Sequence, residues 1–421
     1  MKLREEADKI IYKSIQRVLP DAAVVQALAG KQFGSGNIYV VAVGKAAWQM
    51  AKAASDFMGD RIKAGVVITK YEHVKGGIRN MTCFEAGHPQ PDRNSYIGTQ
   101  AALDLVGQLG EEDTVLFLLS GGGSALFEKP LCHEADLVDI TGQLLSCGAD
   151  IVEINTIRKR LSAVKGGRFA KICEPAKVYS IILSDILGDP LDMIASGPAC
   201  PDSTTCEEAL AIREKYQLSV STEIMELLHE ETPKELDNVE SVITGSVRNL
   251  CRAAAERCEE LGYEPVILTD QLSCEAREAG SFLAAIAKSH QNTEKSLAFI
   301  AGGETVVHLT GSGKGGRNQE LALATAEGIA GLKDTAVFSI GSDGTDGPTD
   351  AAGGYVDGET GSVLRKAGID IYQVLRQNDA YHALQKCGGL IITGATGTNV
   401  NDVSVLLIRR GADCQIVHDL F

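Results

Sequence analysis

The sequence predicts an α/β protein of two domains, each built on an open sheet covered by helices, with the two sheets facing each other across a cleft. Three observations predict it. Short apolar runs rich in Val and Ile alternate with amphipathic stretches at helical spacing. The 421 residues exceed what one hydrophobic core normally serves. The most polar connection, HEETPKELDNVES at 229–241, combines a proline with a run of acidic side chains and sets the expected boundary near residue 235.

Runs that read as buried strands are NIYVVAV (37–43), GVVIT (65–69), MTCFEA (81–86), TVLFLLS (114–120) and VYSIILS (178–184) in the first half. SVIT (241–244), PVILT (265–269), LAFIAGG (297–303), AVFSIG (336–341), LIIT (390–393) and VSVLLI (403–408) follow in the second. Amphipathic helices are expected over 45–58, 95–109, 133–149, 206–230, 247–261, 274–289 and 317–330. Strands connected by helices imply parallel sheets buried on both faces. Ligands in such sheets bind at the carboxyl ends of strands, so the loops after strands carry the candidate chemistry.

A net charge of −16 repels a phosphate backbone, which argues against nucleic acid as a partner and requires a local basic pocket for any anionic substrate. Eleven cysteines lie at irregular intervals without a CxxC pair, so neither a zinc site nor a disulfide framework is indicated, and a reducing compartment is expected. MKLREEADKIIYKSIQRVL mixes charged and apolar residues at helical spacing, unlike a signal peptide, and no run is long enough to span a bilayer. The cytoplasm is therefore the expected compartment and no membrane partner is expected; a homo-oligomer is left open.

Six post-strand segments stand out. In VAVGKAAWQMAKAA, Lys45 sits where the helix dipole disfavours a cation, which suggests a bound anion, against the alternative of a solvated surface lysine. The segment is not a Walker A loop. In LFLLSGGGSALFEKP, Ser120, Gly121, Gly122, Gly123 and Ser124 follow a strand directly; consecutive glycines expose backbone N–H groups and can form a nest for carboxylate or phosphate. SDILGDPLDMIASGPACPD places Asp185 at the carboxyl end of its strand, where a carboxylate can hold a metal ion or accept a hydroxyl proton.

LTGSGKGGRNQELALATAEGIAG carries GxGxxG, but no acid follows in the position that would hold a ribose, so Lys314, Gly315, Gly316 and Arg317 read as a phosphate-covering loop. In SIGSDGTDGPTDAAGG, Asp343, Asp346 and Asp350 could hold a metal or a ribose, or serve turns alone. Thr396, Thr398 and Asn399 in GATGTNVNDV could hydrogen-bond a nucleotide or a substrate hydroxyl. His88 in EAGHPQPD is the one histidine in a loop of functional character, and Arg158, Arg160 and Lys165 form a basic cluster that either reaches the same anion or is a solvated helix face.

Taken together, GKAAWQMA, EAGHPQPD, LSGGGSAL, INTIRKRLSAVKGGRFA, LSDILGDPLDMIASGP, GGETVVHL, GKGGRNQELALA, IGSDGTDGPTDAAGG and ATGTNVNDV resemble the class II glycerate kinase family, in the family's order and over most of the chain. The resemblance implies a large Rossmann-like domain over 1–235 and a smaller C-terminal domain over 236–421, named for a motif similar to GGRNQE. It further implies ATP-dependent phosphorylation of D-glycerate to 2-phosphoglycerate with Mg2+ or another divalent cation. Lys45 and Arg317 are the positions it supports most strongly as catalytic. On our own reading, Asp185 is metal ligand or general base, Asp343 serves metal or nucleotide, the Ser120–Ser124 turn binds glycerate carboxylate or phosphate, and Thr396, Thr398 and Asn399 contact nucleotide. The rival functions are an NAD(P)-dependent hydroxypyruvate reductase, a kinase giving 3-phosphoglycerate, and a non-catalytic sensor.

Overall fold

The computed structural model describes residues 2–410; the last part of the expected C-terminal domain and one of the cysteines lie outside the described residues. The chain divides into two compact units, one of Pro20–Thr244 and one of Met1–Leu19 with Gly245–Phe421. The expected boundary near 235 falls in the connection ahead of a strand, and the division comes at the end of that strand.

The first unit holds β1 (Ile38–Val43), β2 (Ile62–Lys70), β3 (Met81–Ala86), β4 (Thr114–Leu119), β5 (Lys177–Leu183) and β6 (Val239–Gly245). They form one sheet in the order β3-β2-β1-β4-β5-β6, with parallel pairing from β3 through β5. This is the strand order of a doubly wound dinucleotide-type sheet, with the chain reversing direction across the sheet between β1 and β4. Continuous apolar runs are required because both faces are covered. Val41, Val43, Phe117 and Leu119 point into one cluster with Phe127 and Phe169, while Val40, Ala42, Leu116 and Leu118 join the opposite one with Met50 and Ala51. A third cluster, among helices between residues 132 and 228, packs apart from the sheet.

The other unit holds β7 (Glu264–Leu272), β8 (Leu297–Gly303), β9 (Thr335–Gly341), β10 (Gly353–Asp357), β11 (Leu390–Ile391) and β12 (Asp402–Ile408), in the order β11-β10-β9-β12-β8-β7. The expectation of a parallel sheet is corrected here. Only β7 and β8 pair in parallel among the described pairs; β10 with β9 and β11, and β12 with β8 and β9, are antiparallel. Apolar periodicity records burial of both faces, not strand direction, and β9 reaches β10 through a glycine-rich loop without a crossover helix.

The N-terminal helix Lys2–Arg17 belongs to this unit. The Tyr263 hydroxyl donates to Glu6, Arg4 donates to the Leu390 carbonyl (3.0 Å), and the Thr398 hydroxyl donates to the Val18 carbonyl (2.8 Å). The expected helix over 206–230 is two helices, Cys206–Lys215 and Thr222–Leu228. Gln217 breaks it at φ +50°, and Ser221 caps the second helix by accepting the Ile224 N–H. No helix among the described residues is long and apolar enough to cross a membrane.

Candidate active site

Because β1 and β4 are parallel neighbours, the loops that leave them emerge side by side. Hydrogen bonds join these loops, among them one from the Ser120 hydroxyl to the Val43 carbonyl (3.3 Å). The Ser120 N–H donates to the Val43 carbonyl (2.9 Å), the Lys45 N–H to the Gly121 carbonyl (2.9 Å), and the Ala46 N–H to the Ser120 hydroxyl (3.1 Å). Gly44, at φ +116°, lies so close that a Cβ there would sit 2.4 Å from the Ser120 carbonyl oxygen. The Ser120 side chain is thus a strut between the two loops.

Each glycine of the triplet makes room for a different neighbour. A Cβ on Gly121 would stand 2.2 Å from the Asp185 Oδ2. On Gly122, at φ +85°, it would stand 3.1 Å from the His88 Nε2 and 3.3 Å from the Lys45 Cε, and on Gly123 it would collide with the Ala195 Cβ at 2.6 Å. Lys45, His88 and Asp185 therefore converge on the Gly121–Gly122 turn from the loops after β1, β3 and β5. The Lys45 carbonyl is tied by the Thr69 hydroxyl (3.3 Å) and His73 Nδ1 (2.8 Å), while no hydrogen bond or ion pair engages its ammonium among the described residues. Partial burial, then the positive charges of Lys45 and Lys70, hold the His88 imidazole below its ordinary pKa.

Below the turn lies strained backbone. Ala195 and Ser196 have φ of +51° and +61°, a left-handed conformation that disfavours L side chains by roughly 1–3 kcal/mol each. The segment is held on both flanks by the buried Lys159, whose ammonium meets Asp192 (3.3 Å) and Asp202 (2.9 Å). Ser124 turns toward it, its hydroxyl 3.2 Å from that of Ser196, which donates to Asn155.

The basic cluster of the following helix differs from both expectations. Arg160 and Lys165 are fully buried: Arg160 donates to the Thr156 and Thr204 carbonyls, and Lys165 to the Phe127 carbonyl and the Glu128 carboxylate (2.6 Å). Burial pushes the Lys165 ammonium down to about 8 against the pull of Glu128. These cations brace the unit internally. Only Arg158 remains half-buried, donating to the Ser124 carbonyl at 3.2 Å.

In the other unit, Arg317 opens the helix Arg317–Ala326. Its Nε and Nη2 grip both oxygens of Asp402, at 2.5 and 3.1 Å, and its Nη1 reaches Glu304 at 2.8 Å. Asp402 begins β12, opposite Gly303 of β8 and Gly341 of β9. Although burial opposes its charge, the Asp402 carboxylate holds the guanidinium above its ordinary pKa. Asp346 caps the same helix by accepting the Asn318 and Gln319 N–H groups (3.1 and 2.9 Å), an approach that the missing Cβ of Gly316 permits. Asp343 accepts the Thr345 N–H (2.9 Å), and its Oδ1 would lie 3.3 Å from a Cβ on Gly341.

Lys314 places its ammonium 4.1 Å above the Tyr381 ring, whose hydroxyl donates to Asp350 (2.8 Å). Gly311 and Gly313 lie against the backbone of residues 377–379, and Gly315 against Ala380. The first two glycines of GxGxxG thus have packing reasons unrelated to a dinucleotide, and the motif is separated from β8 by an irregular segment. The Thr396 hydroxyl donates to the Ser342 carbonyl (2.6 Å); Thr398 is buried on Val18, and Asn399 is exposed.

A model of a domain of unknown function, DUF4147, matches residues 6–229, and that of the MOFRL family matches residues 297–402. The D-glycerate 2-kinase of Thermotoga maritima is 52% identical over 412 residues, covering 96% of this chain and 98% of that protein. This chain belongs to the class II glycerate kinase family. The glycerate 2-kinase of Pyrococcus horikoshii is 40% identical, covering 98% of this chain and 99% of its own. A crystal structure of glycerate kinase from Thermotoga maritima superposes with a TM-score of 0.92 at 51% identity, over 97% of this chain and 100% of that one.

Within this class II glycerate kinase, no cluster of three or more His, Cys, Asp or Glu among the described residues could cage a metal ion. Magnesium needs no such cluster, because it keeps several waters and binds through one or two carboxylates plus substrate phosphates. Asp185 at the glycine turn could supply such a carboxylate.

Burial raises Asp346 to about 7 against the N–H groups it accepts, with the Asp402 charge adding to the rise. A carboxyl raised in the folded state binds more protons than in the unfolded chain, so its contribution falls as pH rises from about 4 to about 7. Asp346→Asn should flatten the decline of denaturation midpoint with pH across that window, by up to about 1.4 kcal/mol per pH unit. Parallel profiles for the two proteins would show that Asp346 is ionised throughout.

Proposed function

We propose that this chain transfers the γ-phosphoryl group of ATP to the 2-hydroxyl of D-glycerate, releasing ADP and 2-phosphoglycerate. The observation that carries the reading is the near-full-length identity with the Thermotoga D-glycerate 2-kinase. The convergence of an ammonium and a carboxylate on a glycine turn at the carboxyl edge of a doubly wound sheet supports it.

Phosphoryl transfer through a loose transition state requires positioning and charge neutralisation more than covalent chemistry. In our assignment Lys45 neutralises the charge that develops on the transferring group. The Ser120–Ser124 turn receives the glycerate carboxylate or a phosphate, using main-chain N–H groups freed from Cβ obstruction. Asp185 would hold the divalent cation that enters with ATP, and that cation would supply neutralisation of the phosphate charge. Arg317, preset by Asp402, presents a planar fork to phosphate oxygens. Lys314, Gly315 and Gly316 cover phosphates, and Asp343, Thr396, Thr398 and Asn399 line the nucleotide side; the hydroxyls of Thr396 and Thr398 already hold main-chain carbonyls, so they would serve by shaping the loop. A cytoplasmic location accords with the ten free cysteines among the described residues.

With D-glycerate and Mg-ATP, the product should be consumed by enolase without added phosphoglycerate mutase. A product that enolase takes only after mutase is present would be the 3-isomer. NADH or NADPH with hydroxypyruvate should show no absorbance change, and stoichiometric oxidation of either would replace the kinase with a reductase.

Asp185→Asn is expected to lower kcat by about 10² and to raise the magnesium concentration needed for half-maximal rate. The amide keeps the shape that packs against Gly121. Normal kinetics in this variant would assign Asp185 to the turn alone.

A further inference from the structure

The proton of the glycerate hydroxyl must leave as its oxygen bonds to phosphorus, and three side chains meet at the glycine turn to receive it. Lys45 is an ammonium with no acceptor lone pair. Asp185 is the group suited to the cation. The remaining group is an imidazole. We propose that His88 is the general base that accepts the proton of the substrate's 2-hydroxyl, a role that rests on the kinase reading above.

The position of His88 is built, not incidental. β3 is the edge strand and stands three strand spacings from β4, roughly 14 Å at about 4.8 Å each. The loop after β3 nevertheless carries the imidazole across β2 and β1 to the turn after β4, where the Cδ2–Nε2 edge of the ring lies against Gly122. The stem of that loop is locked. The Asp92 carboxylate accepts the Tyr71 hydroxyl (2.6 Å) and the Ser95 N–H (3.0 Å) at the head of the next helix, and a backbone bond from Gly87 as well. A Cβ on Gly87 would meet the Asp92 carboxyl at 3.1 Å, so the chain turns tightly one residue before the histidine. No hydrogen bond engages either ring nitrogen among the described residues. A half-buried imidazole held by its backbone, with a nitrogen open toward an anion-binding turn, is equipped for proton transfer.

Burial and the neighbouring Lys45 and Lys70 charges keep this imidazole neutral near pH 7, the form a base requires. In the step itself, the glycerate 2-oxygen bonds to the γ-phosphorus while the bond from that phosphorus to the ADP oxygen breaks. The hydroxyl proton passes to the open nitrogen of His88. The imidazolium then returns it to solvent, an exchange that the nearby ammonium groups favour.

His88→Ala and His88→Gln should each lower kcat by about 10², within the range for loss of a general base, while the ATP KM stays within about threefold. Added imidazole should restore at least about tenfold of the lost rate to His88→Ala and none to His88→Gln, whose side chain fills the space. A purely structural histidine would not respond to imidazole. Retention of kcat within about fivefold in either variant overturns the role. So does a loss that imidazole leaves untouched in a His88→Ala protein that melts as the parent does. If His88→Ala fails to fold, the kcat of His88→Gln decides by the same fivefold limit. A parent enzyme that does not phosphorylate D-glycerate would sink the kinase reading and this role with it, whereas an active parent with unaffected variants sinks the role alone.

Discussion

Arg317→Ala is expected to reduce kcat by about 10² to 10³, roughly 3–4 kcal/mol of transition-state stabilisation, with a smaller effect on ATP binding. The guanidinium is fixed before substrate arrives, because Asp402 takes two of its N–H groups side by side and Glu304 takes a third. Arg317→Lys should recover little, since an ammonium cannot pair with Asp402 and present a planar fork at once. The same geometry predicts a stability loss that must be separated from the kinetic one. Asp402 is only 5% exposed, so removing its cation leaves a buried carboxyl that must take up a proton. Burial already raises that carboxyl despite Arg317, so the alanine variant should melt lower than the parent and lose more stability as pH rises. Asp402→Asn provides the control: the guanidinium remains but its bidentate hold is lost, and kcat should fall by less than in Arg317→Ala. A near-normal kcat with a raised ATP KM in Arg317→Ala would move this residue to nucleotide binding.

What the sequence makes legible is local, and the structure shows where locality ends. The strands of the first sheet are readable because both faces are buried and the runs are continuously apolar. β10 is not, because Gly353 and Gly354 at its start continue a glycine-rich loop and carry no side-chain pattern. The post-strand loops are readable as candidate sites because consecutive glycines after a strand need a reason. The partners of the site residues are not, since Arg317 meets Asp402 from 85 positions away and Lys165 meets Glu128 from 37. The same distance hides the buried state of Arg160 and Lys165. A basic run with its acids elsewhere looks like a solvated or ligand-facing surface until the tertiary fold supplies the counter-charges. Ala195 and Ser196 leave no trace at all, for neither residue type announces a left-handed backbone.

Lys45→Met is expected to cost about 10² to 10³ in kcat while leaving stability unchanged or slightly improved, and the combination is the signature of a functional cation. Methionine keeps an unbranched stem of similar length against Gly122, where the Lys45 Cε packs, so loss of charge is isolated from loss of packing. The ammonium belongs to the segment that leads into the helix Ala47–Met58, where exposed N–H groups make a cation unfavourable by about 0.3–1 kcal/mol. No ion pair offsets this among the described residues. Its removal should therefore not lower the melting temperature. A second readout follows from the neighbouring imidazole, whose pKa is held down first by burial and then by the Lys45 charge. With methionine at 45 the burial remains and the repulsion is gone, so the His88 titration, followed by proton NMR of the ring, should move upward toward its ordinary value. If the variant loses stability and keeps its kcat, Lys45 is a structural residue. If kcat falls but the His88 titration does not move, the ammonium lies too far from the imidazole to share one phosphoryl group with it.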